Sequence, residues 1–180
     1  DSPWLFAPGR ISLGAGVTNV DLRYRAADVR SPGMHVGVVT GWGPDTLAGP
    51  LFRLVNTVIV PVPADTTLGM TALEAGATER VFFAVDSGRP FSVRVTSGPD
   101  SPTLLGALHA PKGRPGPDEN VLGAGPAAPA DFVVDAADAR PGLWEADALA
   151  SPVTPGAAAV AVRSSPVRIG LGRNPKGVEL

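Results

Sequence analysis

Asp86-Ser87-Gly88 comes nearest to a catalytic element in this sequence. An aspartate held in a turn can orient a histidine that takes the proton of a serine, but all three must converge in space. His35 and His109 are the only histidines, and no Gly-x-Ser-x-Gly, His-Gly-Thr or Gly-Thr-Ser element occurs. Asp86 to Arg89 stand between two alternating stretches, so a hairpin loop is expected there. Neither histidine has a partner at ligand spacing, and both are expected to be structural or surface residues. Asp118-Glu119-Asn120 in the Pro111–Ala130 stretch offers hard oxygens to calcium, but three adjacent residues lack the spaced pattern of a calcium loop. Gly14-Ala15-Gly16 and Gly123-Ala124-Gly125 lack the third glycine of a dinucleotide site and read as turns. Cysteine is absent, which removes disulfides, thiolate zinc sites and cysteine nucleophiles. No catalytic residue, cofactor or metal site is expected.

The elements around these residues are read as strands. With 22 glycines and 20 prolines in 180 residues, helices are disfavoured and short strands joined by turns accommodate both types. Apolar alternation of period two predicts strands at 10–13, 19–25, 34–40, 52–60, 66–73, 78–85, 91–96, 103–109, 131–134, 143–150, 157–163 and 167–171. One helical turn is expected at 136–140. Pro111 to Ala130, mostly Pro, Gly and Ala, reads as a long loop. The expected fold is all-β, built of antiparallel β-sandwich units. Two prolines in Val60-Pro61-Val62-Pro63 mark a boundary between a partial unit at 1–63 and a fuller one at 64–172, with 173–180 as an extension.

The stretch from Ala27 to His35 is echoed from Ala137 to Trp144, with Ser31 inserted: in each, a polar turn and Pro-Gly launch a strand carrying a bulky ring. A repeat and convergent turn chemistry both account for it. Trp144, in mid-strand, is expected in the core. Trp42, in the turn-rich Gly41-Trp42-Gly43-Pro44, and Trp4, beside Leu5 and Phe6, suit core packing and docking alike. Met34, Leu47 and Leu51 extend an apolar patch around Trp42. A first unit too short to close a sandwich leaves an apolar face or sheet edge for another polypeptide. Trp4, Phe6, Met34, Trp42, Leu47 and Leu51 are therefore the expected partner-binding residues.

From Pro32 through Gly41-Trp42 to Ala48-Gly49-Pro50-Leu51-Phe52-Arg53, the sequence resembles the segment after the protease domain of tripeptidyl-peptidase II-like subtilases. Leu73-Glu74-Ala75-Gly76-Ala77-Thr78-Glu79-Arg80-Val81-Phe82-Phe83 is similar to that family's next unit. The resemblance covers roughly residues 27 to 97 and departs at Leu54-Val55, where Val-Pro is expected. It implies a non-catalytic β-sandwich that packs on a protease or mediates assembly, in a periplasmic or secreted setting. A processed fragment serving as an extrinsic subunit of a larger, membrane-bound complex is an alternative, and a carbohydrate- or surface-binding module is another. The chain opens at Asp1 without a methionine or signal sequence, as a mature product, a cut fragment or part of a longer chain would. Another protein or large complex is the expected partner. Nucleic acid is disfavoured by a net charge of −2 and scattered bases, and no apolar run is long enough for a transmembrane helix.

Overall fold

The computed structural model describes residues 2–86, 88–111, 120–125 and 128–164. The chain forms two compact units, Asp1–Val62 and Pro63–Leu180. Among the described residues nearly all regular structure is β, in four antiparallel sheets, with 3-10 turns at Ala26–Asp28 and Thr46–Ala48.

In the first unit β1 (Leu5–Phe6) pairs with β2 (Arg23–Tyr24), and β3 (Gly33–Trp42) pairs with β4 (Pro50–Val60) as a long two-stranded ribbon. The ribbon's register runs from Gly33 opposite Val60 to Trp42 opposite Pro50, with a shift between Gly41 and Trp42. Residues 10–13 and 19–22 form no strand, because no neighbouring strand lies there to satisfy a ladder.

The second unit is a fuller sandwich. Its strands are β5 (Thr71–Leu73), β6 (Thr78–Val85), β7 (Phe91–Ser97), β8 (Leu104–His109), β9 (Asn120–Ala124), β10 (Ala130–Val134), β11 (Gly142–Leu149) and β12 (Gly156–Arg163). They form sheets of order β10-β7-β12-β5 and β6-β11-β8-β9. Period-two burial sends Phe91, Val93 and Val95 of β7 and Trp144, Ala146 and Ala148 of β11 inward. Phe83, Phe91 and Trp144 meet edge to face, at centroid distances of 5.4 and 4.9 Å.

Two expectations are corrected here. The Pro111–Ala130 stretch contains β9, so Gly123-Ala124 is strand rather than turn; pairing with β8 supplies the order that local composition lacks. Asp86 to Arg89 join β6 in one sheet to β7 in the other, so the connection crosses between sheets instead of closing a hairpin. Asp118, Glu119, the stretch 167–171 and the extension 173–180 lie outside the described residues, as does Ser87.

The Pro-Gly echo is a recurrence of structure. Gly33 and Gly142 open β3 and β11 at φ of +131° and +134°, a region that side chains avoid. The preceding turn is closed in each case by a bond three residues back, Asp28 N to Arg25 O and Asp138 N to Asp135 O, both 3.0 Å. The ring that follows then contacts the carbonyl before the proline. His35 Nε2 lies 2.8 Å from Ser31 O, and Trp144 Nε1 donates to Arg140 O at 3.0 Å.

Candidate docking face

Alternation along β3 and β4 divides the ribbon's side chains between two faces. Gly37, Asn56 and Phe52 belong to one. A Cβ on Gly37 would come within 3 Å of the Trp4 ring, so the glycine lets that ring lie against the backbone. Trp4 stacks on Tyr24 at 6.1 Å, and the Tyr24 hydroxyl donates to Asn56 Oδ1 at 3.0 Å. Trp4 is only 6% exposed. Of its two expected roles, core packing is the one observed.

Met34, Val36 and Val38 of β3 alternate with these residues and sit opposite Ile59, Thr57 and Val55. Met34, Val36 and Val38 are each about half exposed, and Val55 is 68% exposed. Beyond the register shift, at the end of the ribbon, Trp42 (54%) and Leu51 are exposed as well. Such a stripe leaves on the order of 500 Å² of apolar surface in water, at the upper end of what monomers carry. Arg53, opposite Thr40, is the one charged residue in it.

Trp42 lies at the end of β3 rather than in a loop. Together with Leu51 it also lines a groove of about 640 Å³, whose other walls include Ile11, Leu13, Val39 and Phe52. Arg10 is the sole charged residue lining it. Leu47, almost fully exposed, stands in the adjoining 3-10 turn, where its N–H is held by Asp45 Oδ1 at 3.0 Å. Phe6 is partly exposed, with the Arg25 guanidinium 4.7 Å from its ring. The structure thus gathers Trp42 and Leu51 at one end of the ribbon, puts Met34 at the other, and turns Trp4 inward. Val36, Val38 and Val55 were not singled out from sequence, where their alternation reads as core. The signal was the shortness of the first unit, which has no further strand to cover them.

A polar cluster missed from sequence occupies the outer face of β6-β11-β8, where Arg80 faces Asp147 and Glu145 faces His109. Arg80 forks onto Glu145 Oε1, and its Nε lies 4.0 Å from Asp147 Oδ1. His109 Nε2 contacts Asp147 Oδ2 at 3.1 Å. The hydrogen bond that Arg80 donates to Glu145 raises the Arg80 pKa. Burial, followed by the charge of Glu145, pushes the Asp147 carboxyl above its ordinary value, and Oδ1 has no hydrogen-bond partner. The alternation of Glu145 and Asp147 along a strand was the available signal. Among the described residues no group of three His, Asp or Glu side chains is placed to hold a metal, and no helix is long and apolar enough to cross a membrane.

No protein-family model and no curated protein matches the chain. The fold is nevertheless shared with part of a solved protein. The crystal structure of tripeptidyl peptidase 2 (TPP II) superposes at a TM-score of 0.65 over 89% of this chain, with 16% identity. At that identity the likeness is one of fold, and the chain spans only 15% of the TPP II chain. The pre-peptidase C-terminal domain of collagenase from Bacillus anthracis overlaps 57% of this chain and 92% of its own, with 17% identity and a TM-score of 0.37.

Proposed function

We propose that this chain is a non-catalytic docking module, comparable in role to the accessory regions of secreted subtilases, that binds another protein through the outer face of the β3–β4 ribbon. The observation that carries this reading is the stripe: Met34, Val36, Val38 and Val55 expose apolar surface along a single sheet face, and Trp42 and Leu51 are exposed at the end of the ribbon. A two-stranded ribbon has little stability of its own, and a second layer over the bare face completes it as a sandwich. A periplasmic or secreted setting accords with that role.

A protein partner fits the face better than a glycan does. Trp42 is the one exposed tryptophan, and apart from Thr40 and Arg10 the groove beside it is lined by apolar side chains and glycines. Sugar recognition needs more polar groups around a stacking ring.

The test is native-scale isolation, sizing and mass spectrometry of whatever travels with the chain, repeated on a variant carrying Val36→Thr, Val38→Thr and Val55→Thr. Threonine keeps the β-branched shape and removes the apolar surface, at a cost of roughly 1 kcal/mol per buried site. The wild type is expected in a larger particle, and the folded variant to bind its partner about 100-fold more weakly. A wild-type chain running alone at 18.3 kDa, or a folded variant that still co-migrates, would overturn the reading.

A further inference from the structure

The ribbon has an open edge as well as an open face. It is a two-stranded sheet, and outside its ladder with β3 the backbone of β4 makes a single hydrogen bond among the described residues, from Asn56 Nδ2 to Leu54 O at 3.4 Å. None of the eleven residues of β4 is buried. A strand turns alternate N–H and C=O groups toward each side, so the outer side of β4 holds a row of them with no strand to pair with.

Edge strands are ordinarily guarded by shortness, charge or proline. The second unit follows that practice: β5 has three residues, β9 and β10 five each, and β6, with eight, carries Glu79 and Arg80. β3 is interrupted by Gly33, Gly37 and Gly41, which weaken pairing. Leu54–Val60 of β4 holds no glycine, charge or proline, with Arg53 and Pro61 just outside it. Five of its seven residues are β-branched, the types that suit a sheet best.

A strand covering this edge must be apolar on both faces, as β4 is. A second copy brings such a strand by construction and needs cover for its own edge. About a two-fold axis at Thr57, the midpoint of the run, Leu54 stands opposite the partner's Val60, Val55 opposite the partner's Ile59 and Asn56 opposite the partner's Val58. That register pairs the whole run and sets Arg53 opposite the partner's Pro61 instead of a second arginine. Area points the same way. One stripe offers on the order of 500 Å², short of the roughly 800 Å² per side that a stable interface buries, whereas two stripes side by side offer about 1,000 Å².

We infer that two copies of the chain pair antiparallel through the outer edges of β4, making a four-stranded sheet of order β3-β4-β4-β3 with both stripes on one face. Four strands with an apolar face are enough for a stable sheet where two are not. The pairing stands on the edge itself; the argument from area rests on the docking reading above.

The test is sedimentation of the whole chain over a range of concentrations, with hydrogen exchange measured along β4. The wild type is expected to reach twice 18.3 kDa as concentration rises. In the dimer every amide from Leu54 to Val60 should be protected, whereas the monomer protects only alternate ones. Thr57→Lys places like charges opposite each other at the axis and should weaken the dimer at least about tenfold, less so at high salt. Thr57→Glu should do the same, and the two variants mixed in equal amounts should recover a dimer, with opposite charges now paired. Thr57 is exposed, so a thermal melt matching wild type is expected of each variant; should neither fold, the exchange pattern of the wild type decides alone.

A chain that stays monomeric up to its solubility limit, a dimer indifferent to both substitutions, folded variants that stay apart when mixed, or alternate β4 amides that still exchange fast in the dimer would each overturn the inference. The chain carrying Val36→Thr, Val38→Thr and Val55→Thr should still dimerise, since threonine keeps the backbone and the β-branched shape. If it becomes monomeric, the faces and not the edges are in contact, and edge pairing falls. The two readings fail separately: a native partner that binds a monomeric wild type and is lost from the threonine variant leaves docking standing without the dimer.

Discussion

Asp147 is the residue whose environment works against its own charge. Burial and the neighbouring Glu145 raise its pKa, outweighing His109. A carboxyl with a raised folded pKa binds its proton more tightly in the folded chain than in the unfolded one. Its contribution is therefore most favourable below the unfolded value near 3.9 and declines as pH rises through the higher folded value. Asp147→Asn keeps the shape and cannot ionise. Urea midpoints measured from pH 4 to 7 should show the wild type losing ground to the variant as pH rises, with the variant at least as stable at pH 7. A variant markedly weaker at pH 7 would mean that the Arg80 and His109 contacts dominate. Beyond the alternation of Glu145 and Asp147 the sequence holds no trace of this cluster, because strand register brings Arg80, His109 and Asp147 together across separations of 38 and 67 residues (147 − 109 and 147 − 80). Trp144 was legible as core because alternation places it between apolar neighbours. Trp4 was not, since its burial depends on Gly37 making room for the ring.

At the scale of elements, the recurring turn makes a graded prediction. Gly33 and Gly142 share a φ that alanine tolerates badly, so Gly33→Ala should cost about 1–3 kcal/mol. Gly142→Ala should cost more, because its Cβ would also meet Pro111 at 2.9 Å, whereas nothing lies within 4 Å at Gly33. Denaturant midpoints of the two variants check the order; equal losses would mean that Pro111 moves aside freely. The turn was visible in the sequence because Pro-Gly carries a local backbone requirement. Period-two alternation likewise located β3, β4, β6, β7, β8, β10, β11 and β12 to within a few residues. It missed β9, whose Gly- and Ala-bearing strand draws its order from β8, and it read strands into 10–13 and 19–22, where no partner exists. Which sheet a strand joins is also a long-range matter, which is why the Asp86–Arg89 connection looked like a hairpin.

The two units of the molecule differ in the sequence distance over which their strands find one another. β3 and β4 are joined by a short connection and pair along their whole lengths. In the second unit, among the described residues, β6 pairs only with β11 and β5 only with β12, so one sheet is incomplete until the chain reaches Leu149 and the other until Arg163. Local pairing closes sooner than distant pairing because less loop entropy is lost. Pulsed hydrogen exchange during refolding of the full chain should therefore protect ribbon amides before those of β6 and β11; simultaneous protection would show the units folding as one. Synthesis from the N-terminal end widens the gap. At about 5–20 residues per second, the roughly 100 residues after Val60 take on the order of 5–20 s to appear. Throughout that interval the ribbon is already made while the second unit still lacks its closing strands. A partner present at the ribosome can then meet a finished apolar face on an unfinished protein, and where none is present the same interval is when the chain is most prone to aggregate.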